Sequence, residues 1–228
     1  MSILAMIPAR MGSQRLKQKN LMPLRGAPLI AHAIRKCRRA GLFDEVWVNS
    51  EHEEFGKIAA QEGAQFHRRP EKLANDIATS EQFVAEFLTT HPCELLFQVH
   101  SIAPLLTTTD LIQFVSEMQT GRYDVLLSVV DEPLEAFFDQ KPINFSLERK
   151  TNSQDLKPIR RICWAVTAWR RNTFLAAVAA GACATYAGRV GLFSVNRLAG
   201  HVIKTAEDLA MAEALYSIAH AADKSLVQ

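Results

Sequence analysis

The sequence predicts an α/β protein with a three-layer, doubly wound, mostly parallel sheet. Two observations predict it. Short apolar runs of strand length alternate along the chain with segments whose apolar residues recur at helical spacing, the βαβ rhythm. The first run, Ile3 to Ile7, also feeds directly into a loop of small and cationic residues, Arg10-Met11-Gly12-Ser13-Gln14-Arg15, with Lys19-Asn20 beyond. A cationic loop at a strand's carboxyl end is where doubly wound sheets bind ligands.

Ile3–Ile7 is the first predicted strand. Leu29–Ala40 carries apolar residues at helical spacing, and Gly41 is placed to end that helix. Glu45–Asn49 is a strand, Glu53–Gln61 a helix stopped near Gly63, and Gln65–His67 a short strand. Ser80–Thr89 is a helix, Glu94–Val99 a buried strand around Leu95-Leu96-Phe97, Thr109–Met118 a helix and Asp124–Val130 a strand. Residues 131–161 break the rhythm with Pro133, Pro142, Pro158 and polar runs. A disordered loop is one reading of this segment, against which Phe137, Phe138, Ile143 and Phe145 are unfavourable in water. Ile162–Trp169 is a strand, Arg171–Ala180 a helix and Val190–Val195 a strand. Thr205-Ala206-Glu207-Asp208 has capping-box form and opens a last helix that runs to about Ala221.

Length and composition agree with this layout. At 228 residues, a single domain spanning 1–228 is expected. Hydrophobic residues make up 48%, charged residues 22%, and the net charge is +2, a balance that speaks against nucleic acid as a partner. Cys37, Cys93, Cys163 and Cys183 show neither metal-ligand spacing nor a disulfide framework, and read as buried thiols. The N-terminal apolar run is too short for a signal h-region, and no uncharged stretch reaches membrane length. The expected setting is therefore the cytoplasm, away from membranes.

The loop is built for phosphate. Small residues let backbone N–H groups approach an anion, and Arg10, Arg15 and Lys19 neutralise it. The spacing matches neither Gly-x-x-x-x-Gly-Lys-Ser/Thr nor Gly-x-Gly-x-x-Gly. It resembles the opening of the sugar nucleotidyltransferases that make CMP-activated acidic sugars, the CMP-sialic acid synthetase family, which begin Ile-Pro-Ala-Arg-x-Gly-Ser, then Lys-Asn, then Leu-x-Gly-x-Pro-Leu-Ile. This chain has Ile7-Pro8-Ala9-Arg10, Gly12-Ser13, Lys19-Asn20 and Leu24-Arg25-Gly26-Ala27-Pro28-Leu29-Ile30. A second segment, Arg69-Pro70 through Leu73-Ala74, Asp76, Ala78 and Ser80, is similar to the family's Arg-Pro-x-x-Leu-Ala-x-Asp-x-Ala-x-Ser.

The resemblance implies a nucleotide-diphospho-sugar transferase (Rossmann-like) fold. It implies transfer of CMP from CTP to an acidic sugar, and a homodimer joined through the 131–161 arm. It assigns Arg10, Gly12, Ser13, Arg15, Lys19, Asn20, Arg69 and Ser80 to the nucleotide, with Arg10 and Lys19 also catalytic. Arg161 and His100 fall on the sugar side. On the residues alone, Ser80 belongs equally to a loop whose N-cap is Thr79.

The departures bear on activity. The family's Gln-Pro-Thr-Ser-Pro-Leu-Arg is here His100-Ser101-Ile102-Ala103-Pro104-Leu105-Leu106, and its Arg-Pro-Asn-Gly-Ala is Arg161-Ile162-Cys163-Trp164-Ala165. Gln14 stands where many members have lysine, and Glu135 where the arm has one. The family's Asp-Ile-Asp-Thr, which supplies carboxylates to Mg²⁺, is Val202-Ile203-Lys204-Thr205. A protonated lysine cannot ligate a hard cation, so no protein metal ligand is expected and Mg²⁺ would be held mainly through the nucleotide's phosphates. Lys204 is either a solvated lysine or a fixed ammonium that takes over part of the metal's charge in catalysis. Two functions stay open: a cytidylyltransferase for a nonulosonic or related acidic sugar, or a nucleotide-binding paralogue impaired in catalysis. A changed reaction on the same fold is a third.

Overall fold

The computed structural model describes residues 1–12 and 16–221. Ser13, Gln14 and Arg15 lie outside the described residues, and with them two of the expected nucleotide contacts, Ser13 and Arg15.

The elements run in the predicted order. In sequence they are β1 (Ile3–Pro8), a small ribbon of β2 (Pro23–Leu24) and β3 (Ala27–Pro28), α1 (Leu29–Ala40), β4 (Glu45–Ser50), α2 (Glu53–Gln61) and β5 (Gln65–Arg68). Then come α3 (Ser80–Thr90), β6 (Leu95–Val99), α4 (Thr108–Gln119) and β7 (Val125–Glu132). A second ribbon of β8 (Phe137–Phe138) and β9 (Lys141–Pro142) precedes β10 (Ile159–Arg170), α5 (Arg171–Ala179), β11 (Val190–Ser194) and α6 (Ala206–Ala219). Among the described residues the main sheet has seven strands in the order β11-β7-β10-β6-β1-β4-β5. All neighbours are parallel except β10, which is antiparallel to both β6 and β7.

Strand alternation makes the three layers. On β1, Ile3, Ala5 and Ile7 pack with α1, α2 and α4, while Leu4 and Met6 pack with Val84, Phe87 and Leu88 of α3 and Phe174 of α5. α6 forms a smaller cluster: Ala212, Leu209 and Tyr216 cover Leu24, Leu29 and Ile203. Helix starts are chemically marked. Thr79, Thr107 and Thr205 form capping boxes with Gln82, Asp110 and Asp208. Gly41 ends α1 at φ 65°, a conformation glycine adopts without a Cβ penalty. No helix among the described residues is long and apolar enough to cross a membrane.

Two boundaries differ from expectation. The last helix ends at Ala219, two residues early. The irregular segment is narrower than 131–161, because Glu132 pairs with Ile159 and Val130 with Arg161, which extends the β7–β10 ladder beyond the core. Alternating charge hid these strand ends: Arg160 pairs with Asp131 at 3.5 Å and Arg161 with Glu132 at 2.8 Å. The remaining stretch, 133–158, leaves Leu134, Phe137, Phe138, Ile143 and Leu147 exposed, Phe138 at 76%.

The β7–β10 ladder also contains an irregularity no pattern announces. Ile162 faces Val129 and Thr167 faces Leu127, so Ser128 alone opposes the four residues Cys163–Val166. Within this bulge Trp164 sits at φ 55°, a left-handed conformation that costs a bulky residue roughly 1–2 kcal/mol.

Candidate functional site

The carboxyl ends of β1, β5 and β6 converge on a cleft of about 260 Å³. Its walls are Pro8, Ala9, Arg10, Leu16, Lys19, Asn20, Arg69, Phe83, His100, Ser101 and Ile102. Three of these are cations and none is a carboxylate, which suits a polyanion.

The first loop is wired to β4. Ala9 N donates to Asn49 O at 3.0 Å, and Met11 N donates to the Glu51 carboxylate at 2.7 Å. Arg69, 3% exposed, joins the two strand ends. Its Nε donates to Asn49 Oδ1 at 2.5 Å, and its Nη2 donates to Ala9 O at 2.9 Å and Asn49 O at 2.5 Å. Its guanidinium lies 4.4 Å from the Phe83 ring centre. Burial lowers the Arg69 pKa to about 10, with Glu51 pulling the other way, so it stays charged at neutral pH. Arg69 is therefore a structural strut as well as part of the wall.

Asn20, also buried, is the second strut. Its Nδ2 donates to Arg10 O at 3.4 Å, and its Oδ1 accepts from Ser101 Oγ at 2.8 Å. This ties the first loop to the turn after β6. Arg10 reaches the other way and donates to Asp76 Oδ1 at 2.7 Å. His100 donates its backbone N–H to Ala165 O at 3.0 Å. Burial, reinforced by Lys19, lowers its pKa to about 4, so the imidazole is neutral at pH 7.

The expected residues thus separate into groups. Arg10, Lys19, Asn20, Arg69 and His100 come together in the cleft. Gly12 is exposed and does not line the cleft. Ser80 does not line the cleft: Thr79 takes the N-cap, and Ser80 is left exposed as the first residue of α3. Arg161 lies outside it too, half in solvent and paired with Glu132. Lys204 is exposed and outside the walls, although Ile203 N donates to Ile102 O at 2.9 Å and fixes that segment beside the cleft. Sequence reasoning missed Phe83 and Ser101. The signal for Phe83 was its place one turn after the α3 cap.

Divalent cations want several oxygen ligands. Among the described residues no cluster of three His, Cys, Asp or Glu side chains could hold a metal. The Asp208 carboxylate accepts from Lys204 N at 2.8 Å and Thr205 N at 2.9 Å, so it serves the helix cap.

Comparison with known proteins agrees with this geometry. The chain is 36% identical to an N-acylneuraminate cytidylyltransferase of Escherichia coli over 129 residues, 56% of this chain and 31% of that protein. It thus spans about a third of the length of that relative. It is 28% identical to a pseudaminic acid cytidylyltransferase of Campylobacter jejuni over 96% of this chain and 98% of that one. In fold it is similar to a CMP:2-keto-3-deoxy-manno-octonic acid synthetase complexed with CTP, at TM-score 0.67 and 17% identity over 96% of this chain and 99% of that one. It is also similar to a 4-diphosphocytidyl-2C-methyl-D-erythritol synthase of Anaerococcus prevotii, at TM-score 0.68 and 14% identity over 95% and 98%. The profile of the family described as Cytidylyltransferase matches residues 4–194, so the chain, cleft included, belongs to the cytidylyltransferase family.

Proposed function

We propose that this protein transfers CMP from CTP to an acidic sugar of the nonulosonic or related class and releases pyrophosphate. The observation that carries the reading is the acid-free cleft in which Arg10, Lys19 and Arg69 meet at the carboxyl ends of parallel strands. A sugar hydroxyl attacks the α-phosphorus of CTP and gives up its proton to solvent, the bond from the α-phosphorus to the oxygen bridging to the β-phosphate breaks, and the negative charge that grows on the leaving pyrophosphate is held by Arg10 and Lys19. Arg69 and Asn20 keep the loop in place, which supplies orientation rather than charge alone. Neutral His100 contributes a hydrogen-bonding edge in the same wall, close enough to Lys19 to feel its charge.

Cytidylyltransferases of this kind commonly use a divalent metal. With no carboxylate among the described wall residues, Mg²⁺ would be held mainly through the triphosphate's own oxygens, and titration of Mg²⁺ into the free protein should give no saturable heat. The setting is the cytoplasm, and the arm at 133–158, with its exposed Phe137 and Phe138, packs against a second copy to make a homodimer.

Pyrophosphate release from CTP with N-acetylneuraminic, pseudaminic and 2-keto-3-deoxy-manno-octonic acids, with and without Mg²⁺, tests the reading. Turnover with one of them is expected. Saturable CTP binding without turnover across the panel would instead favour the binding-only alternative that Val202 and Lys204 raise.

A further inference from the structure

The bulge opposite Ser128 is held from several sides. Cys163 Sγ lies 3.3 Å from Ser128 Oγ, Val166 N donates to the same Oγ at 3.1 Å, and Ala165 O accepts from His100 N at 3.0 Å. Cys163, Ala165 and Val166 are buried, and Trp164 alone emerges, 38% exposed. A loop so fixed forces the tryptophan into its left-handed backbone and holds its ring at the surface. Strain of this kind persists only where the surroundings over-determine it, and it gathers at ligand sites.

The ring has a companion. Tyr186, also exposed, lies 6.5 Å away between ring centres at 51°. Its turn is tied to α3: Glu81 accepts from Thr185 N at 2.6 Å and from Cys183 Sγ at 3.3 Å. The same first turn of α3 carries Phe83 into the cleft. The two rings therefore form an open V joined to the cleft through His100 on one side and α3 on the other, yet outside its walls.

We propose that Trp164 and Tyr186 form the aromatic wall of the acceptor subsite, with Trp164 the residue that sets which sugar is accepted. The electron-rich indole face takes the C–H face of a pyranose ring, while the sugar's hydroxyls and carboxylate stay toward solvent and the cationic cleft. The proposal rests on the cytidylyltransferase reading and names where the second reactant lies.

The test uses the full chain and the same three sugars, with binding to CTP-loaded protein read by calorimetry and tryptophan fluorescence, so that it needs no turnover. In Trp164→Gly, sugar affinity falls at least roughly tenfold while CTP affinity stays within about twofold, and Trp164→Phe recovers most of the loss. Unchanged sugar binding in Trp164→Gly overturns the proposal. So does an equal loss of CTP binding, which would make the V a base-stacking or structural element. Pyrophosphate release by the unaltered protein reports separately on the reading beneath it. If that protein binds none of the sugars, both fall.

Discussion

On the nucleotide side of the cleft, Arg69 is buried and bonds to two strand ends. On the far side, Arg161 stands half in solvent with one carboxylate partner, Glu132. Arg161 lies on β10 and Arg69 directly follows β5, and both match family motifs. They differ in what depends on them. Arg69 closes the β1–β4 crevice, so its position is fixed by the fold. Arg161 sits on a solvent-facing ladder where local charges satisfy it. The lesson extends to Lys19 and Lys204: the inner residue meets the cleft, while the outer one is exposed just before the Thr205 cap of α6.

The largest test of that contrast is Arg69→Ala set against Arg161→Ala. Removing Arg69 leaves Asn49 Oδ1 and the Ala9 and Asn49 carbonyls without their donor in a buried place, at a cost of about 3–5 kcal/mol. Removing exposed Arg161 costs about 0–1 kcal/mol. Urea unfolding measures both. Equal losses would erase the distinction between the two sides.

The next effect comes from pH. The folded-state pKa of His100, about 4, lies below the ordinary value of 6.5, so the folded protein binds fewer protons than the unfolded chain in that window. Its contribution is full above pH 6.5 and is lost as pH falls toward 4, by about 3 kcal/mol in all. His32 and His91 are shifted the same way by burial and steepen the loss. Denaturation midpoints from pH 7 to 4 should fall, and less steeply in His100→Gln. A triphosphate beside His100 favours its charged form, so CTP binding near pH 5 should take up protons. Calorimetry in two buffers of different ionisation enthalpy detects that uptake.

How much of this was legible in the sequence follows from how local each feature is. Arg10, Lys19 and Asn20 lie within one loop, so their shared role showed in their spacing. The six helices and the main strands showed in apolar periodicity, and the start of α6 in its capping box. Phe83 and Ser101 did not show, because sheet order brings β6 and α3 to the first loop, and adjacency in space leaves no mark on spacing. Arg69 was legible as a site position, but its role as a strut needs the Asn49 register. Ser80 was displaced by a one-residue competition for the N-cap, which Thr79 wins. The left-handed Trp164 is a consequence of three extra residues in one strand of a ladder, visible only when both strands are seen.

Affinity distinguishes the two lysines more gently. Lys19→Ala should weaken CTP binding about tenfold, near 1.4 kcal/mol. Lys204→Ala, outside the walls, should change it by about threefold or less. Equal losses would draw Lys204 into the phosphate site and revive its reading as a fixed ammonium.

The smallest expected effect concerns Arg10, whose guanidinium is held by Asp76 at 2.7 Å across the mouth of the cleft. Both side chains are substantially exposed, so the pair is worth only about 0.2–1 kcal/mol. A phosphate must share or displace that carboxylate. Asp76→Asn removes the competing charge and keeps the side chain's shape, so CTP should bind about two- to fivefold more tightly, with the gain shrinking as salt is raised. If CTP instead binds more weakly to the variant, Asp76 positions Arg10 for the nucleotide rather than competing with it. The 70–79 loop would then belong with Arg69 and Asn20, among the parts of the site that the fold holds in place.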